Sequence, residues 1–110
     1  MKELSIVIDV KDLKLGEEEA KMLPQELFSN IVNHVLLQYA QQFKGLIKSE
    51  RKQVYEIDTT LSKAVTDKVE KIELEDNTFG FLRKCFREAK LTPNHLLKKV
   101  EENIDTVKDR

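Results

Sequence analysis

The chain is predicted to fold as an α+β domain, predominantly α-helical, with about four helices packed on a small two-stranded β element. Three observations carry that expectation. Apolar residues recur at helical spacing in four separate segments. Two short runs alternate apolar with polar residues, as half-buried strands do. Between them in character lies Lys71–Ala89, which switches from period 2 to period 3.6 within a few residues and so marks where the core lies. At 110 residues, 1–110 is read as a single domain.

The first element expected is a strand in which Leu4, Ile6, Ile8 and Val10 alternate with Ser5, Val7 and Asp9. Residues Lys11–Met22 read as a charged connector holding Gly16 and the run Glu17-Glu18-Glu19. Pro24 suits the first turn of a helix, where its missing N–H costs nothing. From there to Phe43 the positions Leu27, Ile31, Val35 and Tyr39 follow one another at i+4, flanked by Phe28, Val32, Leu36, Ala40 and Phe43. That face is wide enough to imply burial against more than one element, and Gly45 is a natural stop. Ser49 is the expected cap of the next helix, whose narrower stripe is Val54, Ile57, Leu61, Ala64, Val65 and Val69. A break at Asp58-Thr59-Thr60, all poor helix formers, is compatible with the pattern.

The second strand is Ile72 and Leu74, with Lys71, Glu73 and Glu75 on the wet face, and the two strands are expected to pair with each other or across a subunit interface. Asp76 then caps a helix carrying Phe79, Leu82 and Phe86, with Gly80 inside it. Thr92-Pro93 reads as N-cap and N1 of a last helix bearing Leu96, Leu97, Val100, Ile104 and Val107 on one side. The tail Lys108-Asp109-Arg110 is expected to fray.

Composition excludes several function classes. The 19 basic and 20 acidic residues leave a formal charge of −1, so no global positive field draws the chain to nucleic acid. The one cysteine, Cys85, excludes an intrachain disulfide and any multi-cysteine zinc site, and favours a reducing compartment. No stretch approaches the roughly 20 apolar residues of a membrane span, and the start carries no leader pattern. A cytoplasmic protein is expected, with no membrane contact.

No constellation of catalytic or metal-binding type stands out. His34 and His95 have no cysteine nearby and no acidic or histidine partner at i+4, so both read as surface histidines and no metal is expected. Lys84 beside Cys85, with Arg83 and Arg87 close by, would favour a thiolate. The helical angle instead places Cys85 on the flank of the Phe79/Leu82/Phe86 face, with no base adjacent, and a structural thiol is expected. The glycines at 16, 45 and 80 never cluster into a phosphate cradle. No enzyme activity and no cofactor are expected.

Two surface features remain. Arg83, Lys84, Arg87 and Lys90 share the outer face of their helix and form a candidate basic patch for phosphates or an acidic protein surface. All five Phe are placed on or beside core faces, which leaves no exposed aromatics for base stacking, and nucleic acid is not expected. Leu37 falls on the polar side of its helix between Asn33 and Gln41; with Val32, Leu36 and Ala40 it forms the candidate partner-binding face.

The order of elements (strand, Pro24-led helix, the Glu50-Arg51-Lys52-Gln53-Val54-Tyr55 helix, the Ile72-Glu73-Leu74-Glu75-Asp76 junction, and a last helix ending Val100-Glu101-Glu102-Asn103-Ile104-Asp105) resembles small phage and prophage accessory proteins. The chain departs from them after the first strand, where a glycine-rich turn is usual and only Gly16 is present. The resemblance implies a phage-type accessory protein acting in the bacterial host cytoplasm, and supplies no catalytic residues. The expected function is therefore a non-enzymatic interaction module, an adaptor or inhibitor that binds a host or phage protein. The alternative is a virion or assembly component whose first strand adds to a neighbour's sheet edge. A homodimer is the expected form, because a small sheet and a broad apolar helix face both gain from a second copy.

Overall fold

A computed structural model describes residues 1–107 and shows a mainly helical α+β architecture; the expected fraying of 108–110 lies outside those residues. Strand β1, Lys2–Ser5, pairs antiparallel with β2, Lys71–Leu74, in the register Lys2↔Leu74 and Leu4↔Ile72. Leu4, Ile72 and Leu74 point inward and are buried; Glu3, Ser5, Lys71 and Glu73 face water. The Lys71 ammonium sits 3.3 Å from the Glu3 carboxylate on that wet face.

The first strand is shorter than the Leu4–Val10 run predicts. Its partner supplies only four residues, so the ladder ends with a single further bond, Ile6 N–H to the Glu70 carbonyl at 3.0 Å. The alternation nevertheless continues inward at Ile6 and Ile8, both buried. On the outer side, the Asn103 side-chain amide donates to the carbonyls of Ser5, at 3.1 Å, and Val7, at 3.0 Å. A side chain from the last helix thus replaces the missing strand partner, as buried or half-buried carbonyls require.

The connector contains one helical turn that periodicity does not predict, α1, Glu17–Ala20, opening at Gly16. Its three glutamates lie in the first turn, where the helix dipole favours negative charge. Helix α2, Pro24–Gln42, begins at the predicted proline and buries Leu27, Phe28, Val32, Val35, Leu36 and Tyr39. It ends in a Schellman arrangement: Gly45 N–H reaches the Ala40 carbonyl at 2.7 Å and Lys44 N–H the Gln41 carbonyl at 3.4 Å. Gly45 has φ +108°, and the left-handed C′ residue before it is Lys44 at +57°.

Helix α3, Lys48–Asp67, runs unbroken through Asp58–Thr60, because Ile57, Leu61 and Ala64 keep one buried stripe across that stretch. Ser49 is not its cap. The helix starts earlier, with Ile47 at the N-cap and the Glu50 carboxylate accepting from Ile47 N–H at 3.1 Å. At the other end Lys68 adopts φ +55° and closes a second Schellman turn, with Val69 N–H on the Ala64 carbonyl at 3.2 Å. Helix α4, Asp76–Glu88, takes Asp76 as its first residue rather than its cap. It buries Phe79, Phe81, Leu82 and Cys85, a wider face than Phe79, Leu82 and Phe86 alone predict. Thr78 Oγ1 donates to Glu56 Oε2 at 2.7 Å and locks α4 to α3.

Helix α5, His95–Asp105, begins after Thr92-Pro93, not on it. Asn94 is the cap, its side-chain oxygen accepting from Leu96 N–H at 2.7 Å. The core lies between the inner face of the sheet and α2–α5, with Phe28, Val32, Ile57, Leu61, Leu82, Val100 and Ile104 at its centre. Gln42 pins the end of α2 to the α4–α5 loop: its side-chain amide accepts from Lys90 N–H at 2.6 Å and donates to the Lys90 carbonyl at 2.7 Å.

Candidate functional site

Cys85 is fully enclosed, and burial pushes its thiol up to about 12; the Glu50 carboxylate adds to the shift and outweighs the opposing effect of Lys84. Such a group stays protonated and shielded at neutral pH. His34 and His95 are both exposed and flank the Thr92–Asn94 segment from different sides. Among the described residues no three of His, Cys, Asp and Glu are placed to hold a metal ion. The cleft of about 640 Å³ between the Asp12–Glu19 segment and Pro93–Leu96 is lined by Asp12, Lys14, Glu19, Asn94 and His95 among aliphatic neighbours.

The predicted basic patch does not converge. The Arg83 guanidinium turns toward the end of α5, donating to the carbonyls of Ile104 at 3.4 Å and Val107 at 3.2 Å, and lies 4.9 Å from the Phe79 ring centre. It closes the C-terminal end of α5, where carbonyls lack helical partners. Lys84 is drawn toward Tyr39, whose hydroxyl, followed by the Glu88 and Glu50 carboxylates, holds the ammonium protonated above the ordinary lysine range. Arg87 lines the α4–α5 groove with Phe86, Glu101 and Asp105. In that groove burial, and then Asp105, raises the Glu101 carboxyl. Lys90, in the α4–α5 loop, is exposed and is held beside the end of α2 by Gln42.

The predicted helix face divides as well. Val32 and Leu36 are buried in the core, with no surface to offer a partner, and Ala40 is half-buried. Leu37 is exposed as its wheel position predicts, at 55%, but of its neighbours one turn away only the half-buried Ala40 is apolar, beside Asn33, His34 and Gln41.

A different surface gathers what these two lack. At the α2–α3 corner Phe43 is 51% and Ile47 66% exposed, with the half-buried Leu46 between them. Ile47, Arg51 and Tyr55 succeed one another at i+4, and Tyr55 is 67% exposed, so an aromatic ring follows Ile47 two turns on along the outside of α3, with Arg51 between them. Lys44, Lys48, Arg51 and Lys52 are exposed around it, with Glu50 the one acid in that stretch. The Gln42–Lys90 pairing brings Lys90 to the same end of the molecule. Phe43 is held in place by its own ring contact with Tyr39, centroids 4.6 Å apart, while Tyr39 meets Phe81 edge-on at 5.9 Å.

The expectation that every Phe belongs to a core face is therefore incorrect for Phe43. It lies past the last full turn of α2, where the helix no longer faces the core. The available signal was Phe43-Lys44-Gly45-Leu46-Ile47-Lys48 itself, apolar residues placed in a turn between two lysines. Comparison with protein-family models, with curated proteins and with solved structures found no match.

Proposed function

We propose that this chain is a non-enzymatic interaction module, a phage-type adaptor or inhibitor that captures an acidic, partly apolar segment of a host or phage protein at the α2–α3 corner. One observation carries the reading: Phe43 and Ile47 stand exposed among Lys44, Lys48, Arg51 and Lys52. An apolar centre rimmed by charge is how protein interfaces are built, and a basic rim speeds and selects an acidic partner. The buried, protonated Cys85 supports the non-enzymatic part. The phage-type part rests on the order of elements in the sequence, and a reducing cytoplasm suits the free thiol. A homodimer is proposed as the working form.

The test is capture from a bacterial lysate on immobilised protein, comparing wild type with a Phe43→Ser/Ile47→Ser double variant and with Leu37→Ser. A partner bound by wild type and Leu37→Ser, lost in the double variant and weakened by salt supports the reading. Equal capture by all three contradicts it.

A single nucleic-acid strand is the second reading, because Phe43 and Tyr55 are exposed aromatics beside cations. Capture abolished by nuclease would favour it. The assembly-component alternative has less support, since Asn103 already occupies the outward carbonyls after β1.

A further inference from the structure

The β element is a two-stranded sheet, so β2 has an outer edge. The direction of its polar groups follows from the register. Ile6 and Glu70 continue the β1–β2 pairing with a direct N–H to carbonyl bond. In an antiparallel ladder bonded and non-bonded pairs alternate. Leu4↔Ile72 and Lys2↔Leu74 are then bonded pairs, and the main-chain groups of Lys71 and Glu73 point away from β1. Both residues are exposed; just before the strand the same edge is met by Gln25 of α2, whose side-chain amide donates to the Val69 carbonyl at 3.1 Å. On β1 the corresponding cap reaches into the strand itself, because Asn103 bonds the Ser5 carbonyl as well as that of Val7, whereas Gln25 stops short of β2.

We propose that β2 pairs antiparallel with β2 of a second copy, across a twofold axis at Ile72, giving a continuous sheet of four strands. The inference deepens the homodimer part of the proposed function and rests on it. In this register Lys71 lies opposite the partner's Glu73, and Glu73 opposite the partner's Lys71. Each is a bonded pair that satisfies the outward N–H and carbonyl groups on both sides. Charge selects this register. A shift of two residues either way would place Lys71 against Lys71 or Glu73 against Glu73, and directly opposed like charges destabilise a sheet.

The wet face of the single chain supports the same partner. Glu3 lies directly opposite Glu73, an acidic pair relieved on one side by Lys71. A second Lys71, from the partner, would complete the row on the other side of Glu73. Val69, 41% exposed just before the strand, falls at the end of the same seam. Charged residues are also the usual protection of a free edge; here they disfavour the two neighbouring registers.

Light scattering after size exclusion, over a roughly thousandfold range of concentration, reads the equilibrium by mass action. The expected result is a wild-type monomer–dimer transition that Lys71→Glu and Glu73→Lys each weaken by about tenfold or more, and that the double exchange restores to within about threefold of wild type. Glu73→Lys is the decisive single variant, since it faces Glu3 with an opposite charge and leaves the monomer's sheet intact. Circular dichroism confirms that each variant is folded. A dimer unaffected by either single exchange keeps the homodimer and overturns this interface. Failure of the double exchange to restore association overturns the register. A wild-type monomer at every concentration overturns interface and homodimer together; if lysate capture is then lost on Glu73→Lys, the edge serves a foreign strand instead.

Discussion

Burial sets the chemistry of Cys85, raising its thiol to about 12 with Glu50 as the second cause, whereas an unfolded chain releases that proton near pH 8.5, as free cysteine does, about. Between those values the unfolded state sheds a proton that the folded state keeps, so the contribution of Cys85 to stability falls as pH rises through that window. Thermal melts of wild type and Cys85→Ala at pH 7 and at about pH 10.5 should show the wild-type advantage shrinking at the higher pH; a constant advantage would contradict the assignment. Gly80 makes a second prediction. It lies inside α4, and an added Cβ there meets no atom within 4 Å, so Gly80→Ala should stabilise the protein by about 1 kcal/mol in denaturant melts. Both positions were legible in the sequence, Cys85 by its helical angle and Gly80 by its place in an apolar period. The neighbouring lysine and arginines suggested a reactive thiol only because sequence shows charge but not depth. Arg83 misleads for the same reason: its partners are the carbonyls of Ile104 and Val107, 21 and 24 residues away, and nothing local announces them.

The elements themselves were largely readable, because each helix carries enough apolar positions to declare its period; their ends were not. Thr92-Pro93 and Ser49 are sound start signals in isolation, yet Asn94 and Glu50 make the hydrogen bonds that start α5 and α3. Several polar residues compete at each boundary, and tertiary packing decides among them by where the first buried turn must sit. The predicted strand Leu4–Val10 fails in a related way, since its alternation is real but a strand is only as long as its partner. The break allowed at Asp58–Thr60 is absent because burial of Ile57 and Leu61 outweighs propensities of a few tenths of a kcal/mol, about. Helix ends also yield a test. Lys68 closes α3 at φ +55°, a conformation glycine adopts without steric cost. Lys68→Gly should therefore raise stability by about 0.5–1 kcal/mol, read from the denaturation midpoint. A loss of stability would mean that the lysine side chain contributes more than its backbone strain costs.

At the scale of the molecule, two basic segments and the exposed Phe43 and Ile47 meet at one end only because α2 and α3 fold back on each other and Gln42 ties that turn to Lys90. No single helix wheel contains Phe43, Ile47 and Lys90, which is why the sequence pointed to Leu37 and to the outer face of α4 instead. The sheet edge lies apart from this corner in the chain, so a second copy and a foreign protein need not compete. On this account association of copies should respond to Lys71 and Glu73, and partner capture to Phe43 and Ile47, with the two effects close to additive because the sites share no residue. The most direct measurement is amide hydrogen exchange across the chain, with and without the protein captured from lysate. Protection is predicted over Phe43–Lys52, where the exposed apolar residues and their basic rim lie. Protection confined to the Asp12–Glu19 and Pro93–Leu96 cleft, with the α2–α3 corner exchanging as freely as before, would contradict it.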